Sequence, residues 1–219
     1  MSDVLVEKLL ARIAELRAAG PARTRLLIGI AGAPGVGKST LAEALVAGLA
    51  REPWQTSPVA HVPMDGFHLA DAALDLLGLR DRKGAPETFD AEGYAALLER
   101  IAAGEEVWAP AFERELEQPI AQSIPVPAAA RIVISEGNYL LLSAPPWPRV
   151  RALFDEVWFC ELDDDVRRAR LIDRHVRFGK TPEQARAWVL RSDEANAALV
   201  AAAADSADLR LDLSELGGG

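Results

Sequence analysis

The chain has 219 residues, half of them hydrophobic, which is enough for one α/β domain of ordinary size with a buried core. Its formal net charge of -9 at pH 7 argues against a nucleic-acid partner, because neutralising a phosphate backbone needs an excess of lysine and arginine. A single cysteine, Cys160, excludes an intrachain disulfide and any zinc site built on several thiolates.

Apolar runs and helical periodicities alternate along the chain. Leucine and isoleucine recur at helical spacing over 3–19, which predicts an amphipathic helix that ends at Gly20 and Pro21. Short apolar runs typical of strands buried on both faces follow at 25–32, 59–64, 131–135, 156–162 and 207–213. Helical segments are predicted between them at 38–52, 90–104, 163–178 and 182–204. This alternation predicts a parallel sheet covered by helices on both sides.

Two segments refine this organisation. Thr181, Pro182 and Gln184 form the pattern of a capping box, so they predict the start of the last helix. The interval 66–130 is long for one crossover, and we interpret it as a substrate-side insertion within a single domain over 1–219.

The first apolar run leads into AGAPGVGKST, residues 31–40, which contains G-x-x-x-x-G-K-[ST] between a predicted strand and a predicted helix. Glycines let backbone N–H groups point at an anion, and the helix N-terminus adds a positive dipole end. Lys38 would contact the outer phosphates, and the Ser39 hydroxyl would bind Mg²⁺. The sequence therefore predicts a site for ATP and Mg²⁺ formed by Gly32, Ala33, Pro34, Gly35, Val36, Gly37, Lys38, Ser39 and Thr40.

Motifs that identify other nucleotide-binding classes are absent from the chain. It has neither the Asn-Lys-x-Asp of GTPases nor the Leu-Ser-Gly-Gly of transporter ATPases. Kinases and other ATPases therefore remain as the possible functional classes.

Two acidic residues stand where predicted strands end. Asp65 follows the second apolar run and Glu136 follows the third, so both belong at the ligand edge of a parallel sheet. Glu136 could hold the metal or its water shell. The alternatives are that Asp65 is only the turn residue of an Asp-Gly pair and that Glu136 is a solvated strand-end acid.

Together these residues resemble the family of P-loop kinases that includes pantothenate kinase, uridine kinase and phosphoribulokinase. The resemblance covers most of the chain and is carried by GAPGVGKST, MDGFHL, GLRDRKGAPETFD, APAFERE and ISEGNYLL. It implies an α/β P-loop NTPase fold with three αβα layers, a five-stranded parallel sheet and a helical lid. It also implies that Asp65 is the base facing the substrate hydroxyl and that Glu136 lies on the metal side.

The resemblance does not identify the compound that accepts the phosphate, because the chain departs from the family's pattern in its substrate-side segments. The chain is shorter than a pantothenate kinase, and its Ala-rich 195–204 region lacks the aromatic substrate segment of those enzymes. Uridine kinases usually have an aromatic-Asp pair and a histidine where this chain has Phe112, Glu113 and Arg114. The substrate-binding candidates are Asp65, His68, Arg114, Glu136 and Asn196.

An arginine-rich helix is predicted within the lid region, 163–181. Arg167, Arg170, Arg174 and Arg177 share one strip of this helix, and their mutual repulsion predicts an anionic partner. Because the family carries a lid arginine here, Arg170 and Arg174 join Lys38 and Asp65 as catalytic candidates, and Gly179 could act as a hinge. The alternative is a solvated face relieved by nearby aspartates.

These patterns predict a kinase that transfers phosphate from ATP to a hydroxyl of a small metabolite, with a sugar such as fructose favoured. A uridine, nucleoside or pantothenate kinase is the alternative within the class, and a P-loop ATPase without a metabolite acceptor is the alternative outside it. No targeting pattern or membrane-length apolar stretch is present, so we expect a cytoplasmic protein without a membrane or nucleic-acid partner. A homodimer is left open.

Overall fold

A five-stranded parallel sheet forms the centre of the fold. The computed structural model describes residues 3–20, 24–51 and 58–214. The sheet has the strand order β2-β5-β1-β6-β7, and every neighbouring pair is parallel. Its strands are β1 (Leu26–Gly32), β2 (Val59–Pro63), β5 (Ile132–Gly137), β6 (Glu156–Glu161) and β7 (Leu209–Asp212). The predicted sheet is therefore confirmed.

Helices cover both faces of this sheet. They are α1 (Asp3–Ala19), α2 (Lys38–Leu49), α3 (Asp71–Leu77), α4 (Ala91–Ala102), α5 (Trp147–Arg151), α6 (Asp164–Arg177), α7 (Pro182–Trp188) and α8 (Glu194–Ala201). One apolar cluster packs α1 and α2 against residues such as Ile28 of β1, and a second packs α4, α5 and α8 against residues such as Leu27. Because successive residues of a strand face opposite sides, β1 contributes to both clusters.

The interval 66–130 contains α3, α4 and an antiparallel hairpin of β3 (Val107–Glu113) and β4 (Gln118–Val126). The hairpin packs on a 3₁₀ turn, Met64–Phe67, at the end of β2. A Cβ atom at Gly66 would lie 2.2 Å from the carbonyl oxygen of Pro110, so only glycine allows this close approach. The hairpin is thereby held next to Asp65.

Two helix predictions need correction. The capping box of Thr181 and Gln184 is present, but the helix predicted over 182–204 is divided into α7 and α8 by a π-helical turn at Val189–Asp193. The helix predicted over 38–52 ends at Leu49, and residue 52 lies outside the described residues. Within the described ranges, no helix combines the length and apolar character needed to cross a bilayer.

Candidate active site

The phosphate loop connects β1 to α2 at the C-terminal edge of the sheet. Gly35 and Gly37 have φ values of 80° and 109°, which L side chains rarely adopt. A Cβ atom at Gly35 would lie 2.6 Å from Cγ of Leu171 on α6, so this glycine also permits the loop to pack against that helix. The loop is thus fixed between the sheet and α6.

Lys38 is buried at the first turn of α2. Its ammonium donates hydrogen bonds to the carbonyl oxygen of Ala33 at 3.1 Å and to Oδ1 of Asn138 at 2.7 Å. Burial lowers the pKa of Lys38, and the carboxylates of Glu136 and Asp65 oppose that shift. The side chain is therefore held in place by groups that a phosphate could replace.

Glu136 and Ser39 form the acidic side of the site. Glu136 is only 4% exposed, and its Oε1 accepts a hydrogen bond of 3.1 Å from the Ser39 hydroxyl. Burial and the nearby carboxylate of Asp65 raise the pKa of Glu136 to about 7. A buried carboxylate next to a second one is a site where a cation would be favoured.

Mg²⁺ fits this pair of oxygen donors. Magnesium prefers oxygen ligands and usually combines one or two carboxylates with water and substrate phosphates. Among the residues that the structure describes, no group of three or more His, Cys, Asp or Glu side chains could hold a metal by itself. The protein groups therefore suit a metal that arrives with the nucleotide, with Ser39 and Glu136 as its contacts.

Asp65 lies in the 3₁₀ turn after β2, and its Oδ2 is 3.3 Å from Nη2 of Arg114. Burial would raise the pKa of Asp65, but nearby positive charge, from a protonated His68 first and then from Arg114 and Lys38, keeps it below its usual value. The carboxylate is therefore ionised and oriented by the hairpin.

Two cavities meet at Asp65. The first, of about 420 Å³, is lined by residues 34–40 of the phosphate loop together with Glu136, Arg170 and Leu213. We call it the nucleotide cavity. The second, of about 380 Å³, contains His68, Lys83, Phe112 and Asn196, and we call it the acceptor cavity. Both cavities are bordered by Pro34, Asp65, Arg114, Asn138 and Arg174.

The acceptor cavity is polar, and many of its charges are paired. Lys83 binds Asp71 at 2.8 Å, and Nε2 of His175 lies 2.9 Å from Oδ2 of Asp193. Asn196 is buried and donates a hydrogen bond of 3.3 Å to the carbonyl oxygen of Gly84. Aromatic rings complete the wall, namely Phe89, Phe112, Phe178 and Trp188.

The four arginines predicted to share one strip of α6 have three different environments. Arg170 and Arg174 line the nucleotide cavity, and neither forms an ion pair with any residue in the described ranges. Arg167 is 2% exposed and pairs with Asp164 and with Glu194 of α8. Arg177 is exposed. Arg167 differs from Arg170 and Arg174 because Glu194 of α8 supplies a carboxylate that pairs with it.

Most of the predicted site residues are close together in the structure. Residues 34–40, Asp65, Arg114 and Glu136 line the nucleotide cavity, while Gly32 is the last residue of β1 and Ala33 follows it. His68 and Asn196 lie in the acceptor cavity.

Several cavity residues were not predicted as site residues, among them Lys83, Asn138 and Leu213. Asn138 carried a usable signal, because it comes two residues after Glu136 at the end of a strand that neighbours β1.

Comparison with known proteins identifies the family. The family model described as "Phosphoribulokinase / Uridine kinase family" matches residues 27–214, almost the whole chain. The chain belongs to this family. It is a P-loop kinase, so the predicted family and fold are confirmed.

Relatives within the phosphoribulokinase/uridine kinase family differ in their names. "Putative uridine kinase C227.14" of Schizosaccharomyces pombe is 38% identical over 184 residues, covering 80% of this chain and 78% of the relative. A "Pantothenate kinase" of Xanthobacter autotrophicus is 35% identical over 169 residues, and the matched region spans 74% of this chain but 52% of that protein. The crystal structure of a "putative fructose transport system kinase" from Silicibacter sp. TM1040 is 38% identical, has a TM-score of 0.86 and covers 94% of this chain and 98% of its own. These relatives share the kinase fold and differ in the acceptors that their names state.

Proposed function

We propose that this kinase transfers the γ-phosphate of ATP to a hydroxyl of a small metabolite, with a sugar such as fructose favoured. The observation that carries this proposal is the common border of the two cavities. A γ-phosphate in the nucleotide cavity and a hydroxyl in the acceptor cavity would meet beside Asp65. We also propose a cytoplasmic location, since the reaction consumes ATP.

Each polar residue at this border has a role in phosphoryl transfer. Lys38 exchanges its hydrogen bond with Asn138 for contacts to the outer phosphates of ATP. Asp65, kept ionised with the help of Arg114, orients the acceptor hydroxyl and accepts its proton. Arg170 and Arg174 stabilise the charge that develops on the transferring group. Mg²⁺, when bound at Ser39 and Glu136, supplies neutralisation of phosphate charge.

The acceptor cavity favours an uncharged polyhydroxyl compound. Its carboxylates Asp71 and Asp193 already have partners in Lys83 and His175, so they offer hydrogen bonds without demanding a charged ligand. Phe112 offers an apolar surface for the carbon-bound hydrogens of a sugar ring. The name of the Silicibacter relative supports the same acceptor class.

A pantothenate-like acceptor is the second candidate. Lys180 lines the acceptor cavity and forms no ion pair with a residue in the described part of the chain, so it could receive a carboxylate. The Xanthobacter relative named pantothenate kinase supports this option. A nucleoside acceptor is supported by the name of the S. pombe relative.

A coupled ADP-release assay with sugars, nucleosides and pantothenate tests the proposal. We expect slow ADP release from ATP alone and a large acceleration by D-fructose or another sugar. Lys38→Ala should lose this activity, because the lysine stabilises the phosphates in the ground and transition states. Rapid hydrolysis that no acceptor accelerates would instead identify an ATPase without a metabolite acceptor. Unchanged activity of Lys38→Ala would contradict the proposed nucleotide site.

A further inference from the structure

Asn138 comes directly after β5, at the border of the nucleotide cavity and the acceptor cavity. Its Oδ1 accepts the hydrogen bond of 2.7 Å from the Lys38 ammonium. An ammonium group only donates hydrogen bonds, so the oxygen of this amide must face Lys38 and the nitrogen must face the opposite way. The orientation of the carboxamide is therefore defined.

Tyr139 is the neighbour of the amide nitrogen. Burial raises the pKa of the Tyr139 hydroxyl, and a hydrogen bond from the side chain of Asn138 opposes that rise. Because a donor stabilises the ionised hydroxyl, Nδ2 is the atom of Asn138 that faces it. The Tyr139 hydroxyl itself donates to the carbonyl oxygen of Gly84, which also accepts a hydrogen bond of 3.3 Å from Asn196.

A phosphate beside Lys38 would reverse the preference of this amide. Phosphate oxygens only accept hydrogen bonds, so they would repel Oδ1 of Asn138 and attract Nδ2. A half-turn of the carboxamide exchanges these two atoms, and the hydroxyl of Tyr139 suits both orientations because it can accept from Nδ2 or donate to Oδ1. The carbonyl oxygen of Gly84 keeps its hydrogen bond from Asn196 in either orientation.

The border position places Asn138 where the phosphoryl group would pass between the cavities. Among the described residues that line both cavities, Asn138 is the one neutral side chain that can both donate and accept hydrogen bonds. Asp65 and Arg114 contact each other, and Arg174 only donates. An amide here can therefore change its partner without changing its charge.

We propose that Asn138 is a catalytic residue whose carboxamide turns when ATP binds, so that Nδ2 donates a hydrogen bond to a non-bridging oxygen of the γ-phosphate. This inference rests on the proposed kinase function. During transfer, the acceptor oxygen bonds to the γ-phosphorus as the bond from that phosphorus to the β–γ bridging oxygen breaks. ADP leaves with the electron pair, and the acceptor proton passes to Asp65. Asn138 keeps its own protons and stabilises charge on the transferring group.

Two substitutions separate this role from a simple hold on Lys38. Asn138→Leu has a similar shape with neither donor nor acceptor, and Asn138→Asp keeps an oxygen for Lys38 but has no donor. We expect Asn138→Leu to lower kcat about 10²- to 10³-fold, with the KM for ATP changed by less than a few-fold. Asn138→Asp should be at least as impaired as Asn138→Leu.

The opposite kinetic pattern would overturn the inference. If Asn138 only positioned Lys38, Asn138→Asp would be more active than Asn138→Leu, and the effect of Asn138→Leu would be confined to the KM for ATP. Ser143→Ala, exposed in the same loop five positions later, is the matched control and should behave like the wild type.

The contact with the γ-phosphate can be measured without an acceptor. The chain has two asparagines, so selective ¹⁵N labelling of asparagine gives two side-chain NH₂ signals, and Asn138→Asp removes one of them. We expect the Asn138 signal to differ between the complex with a non-hydrolysable ATP analogue and Mg²⁺ and the complex with ADP and Mg²⁺. An Asn138 signal at the same position in both complexes would overturn the inference.

These measurements separate failure of the inference from failure of the proposed function. If no alcohol accelerates ADP release, the acceptor function fails, but slow release still transfers the γ-phosphate to water. Asn138→Leu should then lose the same factor in that slow reaction, and the difference between the two NMR complexes should persist. If an acceptor is found and Asn138→Leu keeps the wild-type kcat, the kinase function stands and only the role of Asn138 is overturned.

Discussion

At the scale of single residues, Asp65 is constrained from three sides. Its carboxylate contacts Arg114, its carbonyl oxygen contacts His68, and the following Gly66 packs against Pro110 of the hairpin. Two of these three contacts do not involve the carboxylate, so a change at Asp65 can alter charge without loosening the turn.

Asp65→Asn should keep the size of the side chain and remove its charge. We expect near-normal ATP affinity and a loss of phosphoryl transfer of about 10²- to 10⁴-fold, the range typical of a general base. Calorimetry for nucleotide binding and the ADP-release assay for transfer would measure the two effects separately. Full transfer activity in the variant would mean that Asp65 is only the turn residue of its Asp-Gly pair.

The raised pKa of Glu136 predicts that the stability of the fold falls as the pH rises toward neutrality. In the nucleotide-free protein its pKa is about 7, above the ordinary value of 4.5. The folded state therefore holds this proton more tightly than the unfolded chain, so the contribution of Glu136 to the free energy of unfolding falls as the pH rises from 4.5 through 7.

Glu136→Gln should remove this pH dependence. Relative to the wild type, the variant should gain stability between pH 5 and pH 8, by at most about 3 kcal/mol. Urea unfolding across this pH range would measure the difference. Glu43→Gln, on the exposed face of α2, is the matched control and should follow the wild-type curve. A difference between Glu136→Gln and wild type that does not vary with pH would contradict the prediction.

At the scale of elements, α6 combines a packed face with a face toward the nucleotide cavity. Leu171 contacts the phosphate loop at Gly35, and Arg167 pairs with Glu194 of α8, so neighbouring elements hold the helix. Arg170 and Arg174 remain available for a ligand.

Arg170→Ala and Arg174→Ala should each lower kcat more than they raise the KM for ATP. The physical reason is that both guanidinium groups act on charge that develops during transfer, and the loss of one such donor costs about 10²- to 10³-fold. Steady-state kinetics at saturating acceptor would measure it. Arg177→Ala, on the same helix but exposed, is the control and should behave like the wild type. A change confined to the KM for ATP would contradict the prediction and would mean that these arginines act in ground-state binding of ATP.

At the scale of the whole molecule, nucleotide binding connects the sheet, α2 and α6. The nucleotide cavity is lined by the phosphate loop, by Glu136 at the end of β5, by Arg170 of α6 and by Leu213 after β7. A ligand that contacts all of these elements binds the folded chain and not the unfolded one, so it must raise stability.

A non-hydrolysable ATP analogue with Mg²⁺, at 100 times its Kd, should add about 2.7 kcal/mol and raise Tm by roughly 5 to 11 °C. Lys38→Ala should lose most of this shift at the same ligand concentration, whatever its own Tm. Lys8→Ala, exposed on α1, is the matched control. Differential scanning calorimetry would measure the shift, and an equal shift in Lys38→Ala would contradict the proposed contact.

Much of the fold and part of the site could be predicted from the sequence because the signals are local. The phosphate loop needs glycines, a lysine and a hydroxyl at fixed spacing between a strand and a helix, and the structure has them in that order. The capping box of α7 depends on residues three apart. Strand-end acids were also predictable, since the C-terminal ends of parallel strands meet at one edge.

Tertiary structure alone decided how these parts meet. Asn138 reaches Lys38, 100 positions earlier in the chain, because β5 lies next to β1 in the sheet. Arg167 lines neither of these two cavities and instead pairs with Glu194, 27 positions later, and helical spacing contains no information about that partner. The border between the two cavities likewise depends on the hairpin packing on Gly66. Sequence periodicity defines the face of an element, whereas packing between distant segments determines what that face contacts.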